Sequence, residues 1–245
     1  MRLTRIHVPG PLAPDSEITL PPQAGEHLTR VLRLEPGAAF TLFDGRGGEY
    51  AAQLAPRSGK SARARVLAHA PVERESPLDI TLLQGIARGE RMDLIVQKST
   101  ELGVTRIVPV TTERSVVRVE QRGQRKRDHW QSIAISACEQ CGRNRIPEVE
   151  LPRALQDALA ALAAGTRGLL LAADAAASLA SAARVPRAPL ALLIGPEGGL
   201  ADDEVRLAVT HGFTSCRLGP RVMRTETAGL AALAALQAIA GDFTG

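Results

Sequence analysis

Between Leu190 and Ala240 the chain carries two loops of similar design, GPEGGL and RLGPRVMRTETAG, each after a short apolar run and each opening a helical stretch. In the first, Gly195, Gly198 and Gly199 let backbone N–H and C=O groups approach the edge of a ligand, and Pro196 stiffens the turn. A Walker loop needs a Lys followed by Ser or Thr, which is missing, and the spacing is not GxGxxG; a neutral heterocycle such as adenine fits better than a phosphate chain. In the second, Gly219 and Pro220 form the turn, Val222 and Met223 offer apolar contacts, and Arg221 and Arg224 supply fixed cations. Thr225 reads as the N-cap and Glu226 falls in the first helical turn. A pair of ordinary capped turns would also need glycines, but two loops bearing apolar and charged groups together point to a ligand site. Spacing alone names no reaction.

Strands that end in tight loops, each opening a helix, place those loops side by side at the carboxyl edge of a parallel sheet. Upstream, LDITLLQGI reads as a strand, and GERMDLIVQKSTELG as a helix with Met92, Ile95, Val96 and Leu102 on one face and Gly103 at its end. VTRIVPVTT follows as a second strand, completing a βαβ unit. LPRALQDALAALAAG reads as an amphipathic helix and GLLLAAD as a buried strand. From residue 78 onward at least five strands alternate with helices, which predicts an α/β domain. Before residue 70 the pieces are shorter. AAFTLFDG and EYAAQLA alternate around DGRGG, a hairpin signal, and EHLTRVLRL carries Leu28, Val31 and Leu32 at helical spacing, which together predict a small barrel with one short helix. PVERESP reads as the linker, so the expected domains are 1–72 and 73–245.

At 245 residues and 44% hydrophobic content the chain can bury a substantial core. Its formal charge is +4, yet the stretch from Arg114 to Arg145 holds eight cations against three carboxylates, a local excess of +5. A solvated helix face and a phosphate-contacting surface both account for such a run. The N-terminal MRLTRIHVPGPLAP has no apolar signal region and no run approaches the roughly 20 residues of a membrane span, so a soluble cytosolic protein is expected. Cys138, Cys141 and Cys216 are too few for a disulfide framework. The CxxC pair lacks a second pair for zinc and sits at a helix end rather than a helix start, so no metal or redox site is expected there. Polar groups, Glu139, Gln140, Arg143 and Asn144, bunch where that helix stops.

GPEGGL followed by RLGPRVMRTETA closely resembles the signature pair of the SPOUT-class RNA methyltransferases, and within them the ribosomal RNA small subunit methyltransferase E family. HLTRVLRLEPG and LFDGRGGEY are similar to that family's N-terminal PUA-like barrel, while KSTELGVTRIVPV, TERSVV and ACEQCGRNRIPEV match its middle, so the likeness spans nearly the whole chain. It implies an α/β parallel sheet threaded as a trefoil knot (SPOUT, α/β knot) plus a small RNA-binding PUA-like β-barrel. The knot is an exception to the usual rule and no residue pattern reveals it. The resemblance also implies methyl transfer from S-adenosylmethionine to N3 of a uridine in 16S rRNA of the small ribosomal subunit, by a homodimer.

Carried onto this chain, it implies a cofactor pocket of Leu171, Ala172, Gly195, Pro196, Glu197, Gly198, Leu218, Gly219, Arg221, Val222, Met223, Thr225 and Thr227. Ala201 departs from the Ser or Thr usual after GPEGG, and Asp202 is expected to cap instead. Arg224 is the candidate to stabilise charge on the uracil carbonyls, with Glu226 as orienter or proton acceptor. Arg30, Arg33, Arg118, Arg122, Arg125, Glu139, Gln140 and Arg143 are the candidate RNA contacts. The nearly all-apolar last helix independently suggests burial in a dimer. Ribose 2′-O methylation and a non-catalytic RNA-binding role stand as alternatives.

Overall fold

The computed structural model describes residues 4–56, 61–115, 123–183 and 188–244. They divide into two compact units, one of residues up to Glu75 together with Cys138–Ile146, the other of Ser76–Ala137 and Pro147 onward.

The first unit is a five-stranded sheet of β1 (Arg5–His7), β2 (Glu17–Thr19), β3 (Ala39–Phe43), β4 (Glu49–Leu54) and β5 (Arg63–Ala70), in the order β1-β3-β4-β5-β2. The expected hairpin joins β3 to β4, with Gly45, Gly47 and Gly48 all at positive φ and Asp44 accepting the Arg46 N–H at 3.0 Å. Leu28, Phe40, Leu42, Leu54 and Val66 form its core. The one short helix is more complex than its spacing predicts. Helix α1 (Pro22–Glu26) runs into a π-type turn over His27–Val31, where the Leu32 N–H reaches the His27 carbonyl at 2.9 Å. The wider turn rotates Val31 and Leu32 off the face that buries Leu28, leaving Val31 66% exposed.

Residues 138–146 supply polar partners inside this unit. Arg5 donates to Glu49 Oε2 and to Asn144 Oδ1, both at 2.5 Å, and Arg74 also donates to Glu49 Oε2 at 2.9 Å. Burial would raise the Glu49 carboxyl; the hydrogen bonds and charges of Arg74 and Arg5 outweigh it and lower the pKa to about 2.

The second unit is built on an eight-stranded parallel sheet. Its strands are β6 (Ile80–Gly85), β7 (Arg106–Thr111), β8 (Glu148–Val149), β9 (Arg153–Ala154), β10 (Arg167–Leu171), β11 (Ala177–Ser178), β12 (Leu190–Ile194) and β13 (Phe213–Arg217). They run β11-β13-β10-β12-β6-β7-β8, with β9 also on β7. Adjacent residues point to opposite faces, and both faces are covered. Leu82, Leu169 and Leu192 pack with α2 (Arg91–Glu101), α3 (Gly123–Cys141) and α7 (Thr225–Ala240), while Leu83, Leu170 and Leu193 pack with α4 (Leu155–Ala160) and α6 (Asp202–Thr210). Two covered faces are why these strands read as unbroken apolar runs. A further short helix, α5 (Leu179–Ala182), follows β11.

The helix expected from LPRALQDALAALAAG contracts to α4, on which Leu155, Ala158 and Leu159 are buried, and alanine propensity alone does not extend so short a helix. Among the described residues no helix is long and apolar enough to cross a membrane, and no cluster of His, Cys, Asp and Glu could hold a metal ion. All three cysteines are free thiols. The hydrogen bond with Cys141, followed by burial, raises the Cys138 thiol well above its ordinary range, and burial lifts Cys216 to about 11.

Candidate active site

Strands β13, β10, β12 and β6 lie side by side, and the loops after them gather at one sheet edge. There they enclose a cavity of about 720 Å³ lined by Leu170–Asp174, Ile194–Leu200, Leu218 and Gly219, Arg221–Glu226, and Arg91. The two glycine loops singled out in the sequence therefore face one space.

The contact between β6 and the first loop explains part of this convergence. A Cβ on Gly85 would lie 2.4 Å from Pro196 N, so glycine is required for the loop to pass over the strand end. Thr225 ties the second loop to the first. It is not the N-cap that its sequence position suggests: Arg224 holds that place, and Thr225 is the first helical residue, 6% exposed. Its hydroxyl donates to the Gly195 carbonyl at 2.6 Å and accepts from Gln84 Nε2 at 3.0 Å. Strand β6, the 195–200 loop and the start of α7 thus share one buried hydroxyl.

Asp202 likewise does not cap α6. Ala201 is the N-cap residue, and Glu204 reaches back to accept its N–H at 2.8 Å, half of a capping box that needs no side-chain oxygen at the cap. Arg114 donates to the Gly198 carbonyl at 3.2 Å, holding the far side of the same loop.

Charge is arranged unevenly around the cavity. Glu197 Oε1 accepts the Arg88 N–H at 2.9 Å and Arg91 Nη1 at 2.7 Å. Burial would raise this carboxyl, but the backbone donor and the Arg91 guanidinium outweigh it and hold it below the ordinary carboxylate range. Glu226 Oε1 lies 3.7 Å from Arg91 Nε, while Glu226 Oε2 is buried with no hydrogen-bond partner among the described residues. Arg221 and Arg224 are exposed at the rim, and Val222 is 85% exposed.

Twelve of the thirteen expected cofactor residues line the cavity, together with Arg224 and Glu226; Thr227 is exposed on α7 and does not. The sequence reading missed Arg91, the first residue of α2, and Asp174, in the loop after β10. The signal for Arg91 was its place just after a strand that proves to adjoin β12.

The expected RNA contacts fall in both units. Arg30, Arg33 and Gln140 are exposed in the first unit and Arg125 in the second, while Arg118 and Arg122 lie outside the described residues. Arg143 is corrected: it is 4% exposed, with Nε and Nη2 donating to Glu75 Oε2 at 2.9 and 2.5 Å, so its charge is internal. Glu139 is half-buried and accepts the His7 N–H at 2.9 Å; burial raises its carboxyl despite that bond, again an internal role.

A parallel sheet with a cavity of about 720 Å³ at its carboxyl edge makes this an α/β protein with a ligand-sized site, and comparison refines the class. The RNA methyltransferase domain family matches residues 74–237 and the RNA methyltransferase PUA domain family matches residues 20–67. The ribosomal RNA small subunit methyltransferase E of Buchnera aphidicola is 30% identical over 99% of this chain and 96% of its own length, and that of Bacillus subtilis 31% identical over 86% and 85%. The chain belongs to the ribosomal RNA small subunit methyltransferase E family. A structure of that enzyme from Neisseria gonorrhoeae bound to S-adenosylmethionine is 40% identical, covers 99% of this chain and 100% of its own, and superposes with a TM-score of 0.92. A putative methyltransferase from Legionella pneumophila, with the same cofactor bound, gives 42%, 99%, 100% and 0.92.

Proposed function

We propose that the chain methylates N3 of a uridine in the 16S rRNA of the small ribosomal subunit, using S-adenosylmethionine. The observation that carries this reading is Glu226, a carboxylate with one buried, unpartnered oxygen, at the wall of a cavity whose rim bears Arg221 and Arg224. The residues present fit the cofactor. About 720 Å³ is within the size of small-molecule sites, roughly 300–1,000 Å³. Leu171, Ile194, Leu218 and Met223 give the lining apolar surface, and the closely folded 195–199 backbone offers its polar edge to an adenine.

Bound there, the cofactor supplies an electrophilic methyl on a sulfonium sulfur. The chain's own residues do the rest. Walls from four strand ends hold two reactants in register, which removes much of the entropic barrier. Arg224, uncommitted to any ion pair among the described residues, stabilises negative charge on the uracil carbonyls, and Glu226 takes the imide proton. Arg30, Arg33, Arg125 and Gln140 stand exposed to meet RNA. We further infer that the first sheet closes as a PUA-like barrel, that β10 with β12 and β13 on its two sides is threaded as a trefoil knot, and that the chain works as a dimer through α7, where Leu230 is only half-buried and Ile239 is exposed.

The test is incubation of small subunits lacking the modification with the protein and labelled cofactor, followed by nucleoside mapping. N3-methyluridine is expected. A methyl on ribose, or none together with no cofactor binding in calorimetry, refutes the reading.

A further inference from the structure

Arg91 opens α2, and its single guanidinium spans both loops of the cavity. Nη1 is bonded to Glu197 in the first loop at 2.7 Å, and Nε lies 3.7 Å from Glu226 Oε1 at the end of the second. Glu197 is itself fixed by the Arg88 N–H from the turn that leads into Arg91, so the cation has a firm seat on one side. On the other side its Nε faces Glu226 Oε1. A carboxylate without such a neighbour presents two equivalent oxygens that exchange by rotation. Here the symmetry is broken: Oε1 faces a cation and Oε2 is buried with no partner among the described residues.

We propose that Arg91 is a positioning residue for methyl transfer, fixing Glu226 Oε2 as the oxygen that receives the imide proton and tying that alignment to the cofactor loop through Glu197. The proposal rests on the methyl-transfer reading above. As the bond from N3 to the methyl carbon forms and the carbon–sulfur bond breaks, the N3 proton passes to Oε2 and the sulfur leaves as a neutral thioether. Arg91 lines the cavity wall, and its part in the proton transfer is indirect. It acts through Glu226, so its contribution must vanish when Glu226 has no proton to take.

A double-mutant cycle reads this out. Arg91→Met and Glu226→Gln are each expected to lower kcat by about 100-fold, the scale of a lost acid–base group or a misplacement of order 1 Å. Cofactor dissociation constants from calorimetry and KM for the subunit should move less than about threefold, because the loss lies in the transition state. The double variant should be no more than about threefold worse than either single one, since residues acting as a unit are not additive. Arg91→Lys, which keeps the charge, should restore about 10-fold of the activity lost in Arg91→Met. Losses that multiply in the double variant, a cofactor affinity that falls as far as kcat, or a lysine variant no better than methionine each overturn the proposal. A wild-type chain that fails to bind the cofactor sinks the methyl-transfer reading itself, a separate result from a wild-type enzyme that is active while Arg91→Met is silent.

Discussion

Alanine at Gly85 tests how the cavity is assembled without touching any group assigned to chemistry. The added methyl would meet Pro196 N at 2.4 Å, Pro196 Cδ at 2.6 Å and the Gly195 carbonyl carbon at 2.8 Å, whereas ordinary contact begins near 3.4 Å. A separation of about 1 Å must therefore open between strand and loop. Main chain cannot rotate away as a flexible side chain does, and one residue earlier β6 is locked to β12 by the Leu83–Leu193 and Gln84–Ile194 pairs. The displacement falls on residues 195–198, the loop proposed to hold the cofactor. Overpacking of this kind costs about 1–3 kcal/mol, a fall in Tm of about 3–10 °C for a chain of this size. A 1 Å error in the loop should also lower methyl transfer by on the order of 100-fold. Calorimetric titration with S-adenosylmethionine and a thermal melt suffice. If Gly85→Ala melts with the wild type and binds the cofactor with unchanged affinity, the close approach of β6 to Pro196 is not what shapes the site.

Thr225→Val keeps the volume but leaves the Gly195 carbonyl and one N–H of the Gln84 amide without a partner, so a loss of about 1–3 kcal/mol is expected in denaturant unfolding, with Thr225→Ser losing much less. Glu49 should dominate the acid response of the first unit. Its folded pKa of about 2 lies below its unfolded value of 4.5, so its contribution is complete above pH 4.5 and is lost as pH falls through about 2. Glu49→Gln should destabilise at pH 7 by about 3 kcal/mol or more, because Arg5 is left buried beside a neutral group, and should flatten the pH dependence of unfolding between 4.5 and 2. An unchanged acid limb in that variant would show that other carboxylates carry it. Light scattering should find twice the 26.0 kDa chain mass; a lone 26.0 kDa species removes the dimer.

Local chemistry was legible and long-range adjacency was not. The strands of the parallel sheet announced themselves because Leu82 and Leu83, or Leu192 and Leu193, are buried on opposite faces, and Gly103 marked the end of α2 by its need for positive φ. The paired loops were visible as glycines and prolines at matching places. Thr225 shows the limit: as a residue before a helix it reads as a cap, but its partners lie 30 and 141 residues away, and no local rule reaches them. Arg91 carries no local signal for the same reason, since its place at the cavity follows from β6 lying next to β12. Arg143 stands in a cation run that suits an RNA contact as well as a solvated face; the Glu75 carboxylate that pairs with it lies 68 residues earlier, out of reach of any local pattern.

Residues 138–146 complete the first unit, and this sets an order of events during synthesis. When Glu75 leaves the ribosome, Arg5 has its glutamate but not Asn144, and the hydrogen-bonded interior of that unit is unfinished. About 70 more residues must follow, which at 5–20 residues per second takes roughly 4–14 s. By then β6, α2 and β7 have also emerged. The first unit therefore cannot be finished before part of the second exists, and a chain cut after Glu75 should emerge as an aggregation-prone fragment rather than a folded domain.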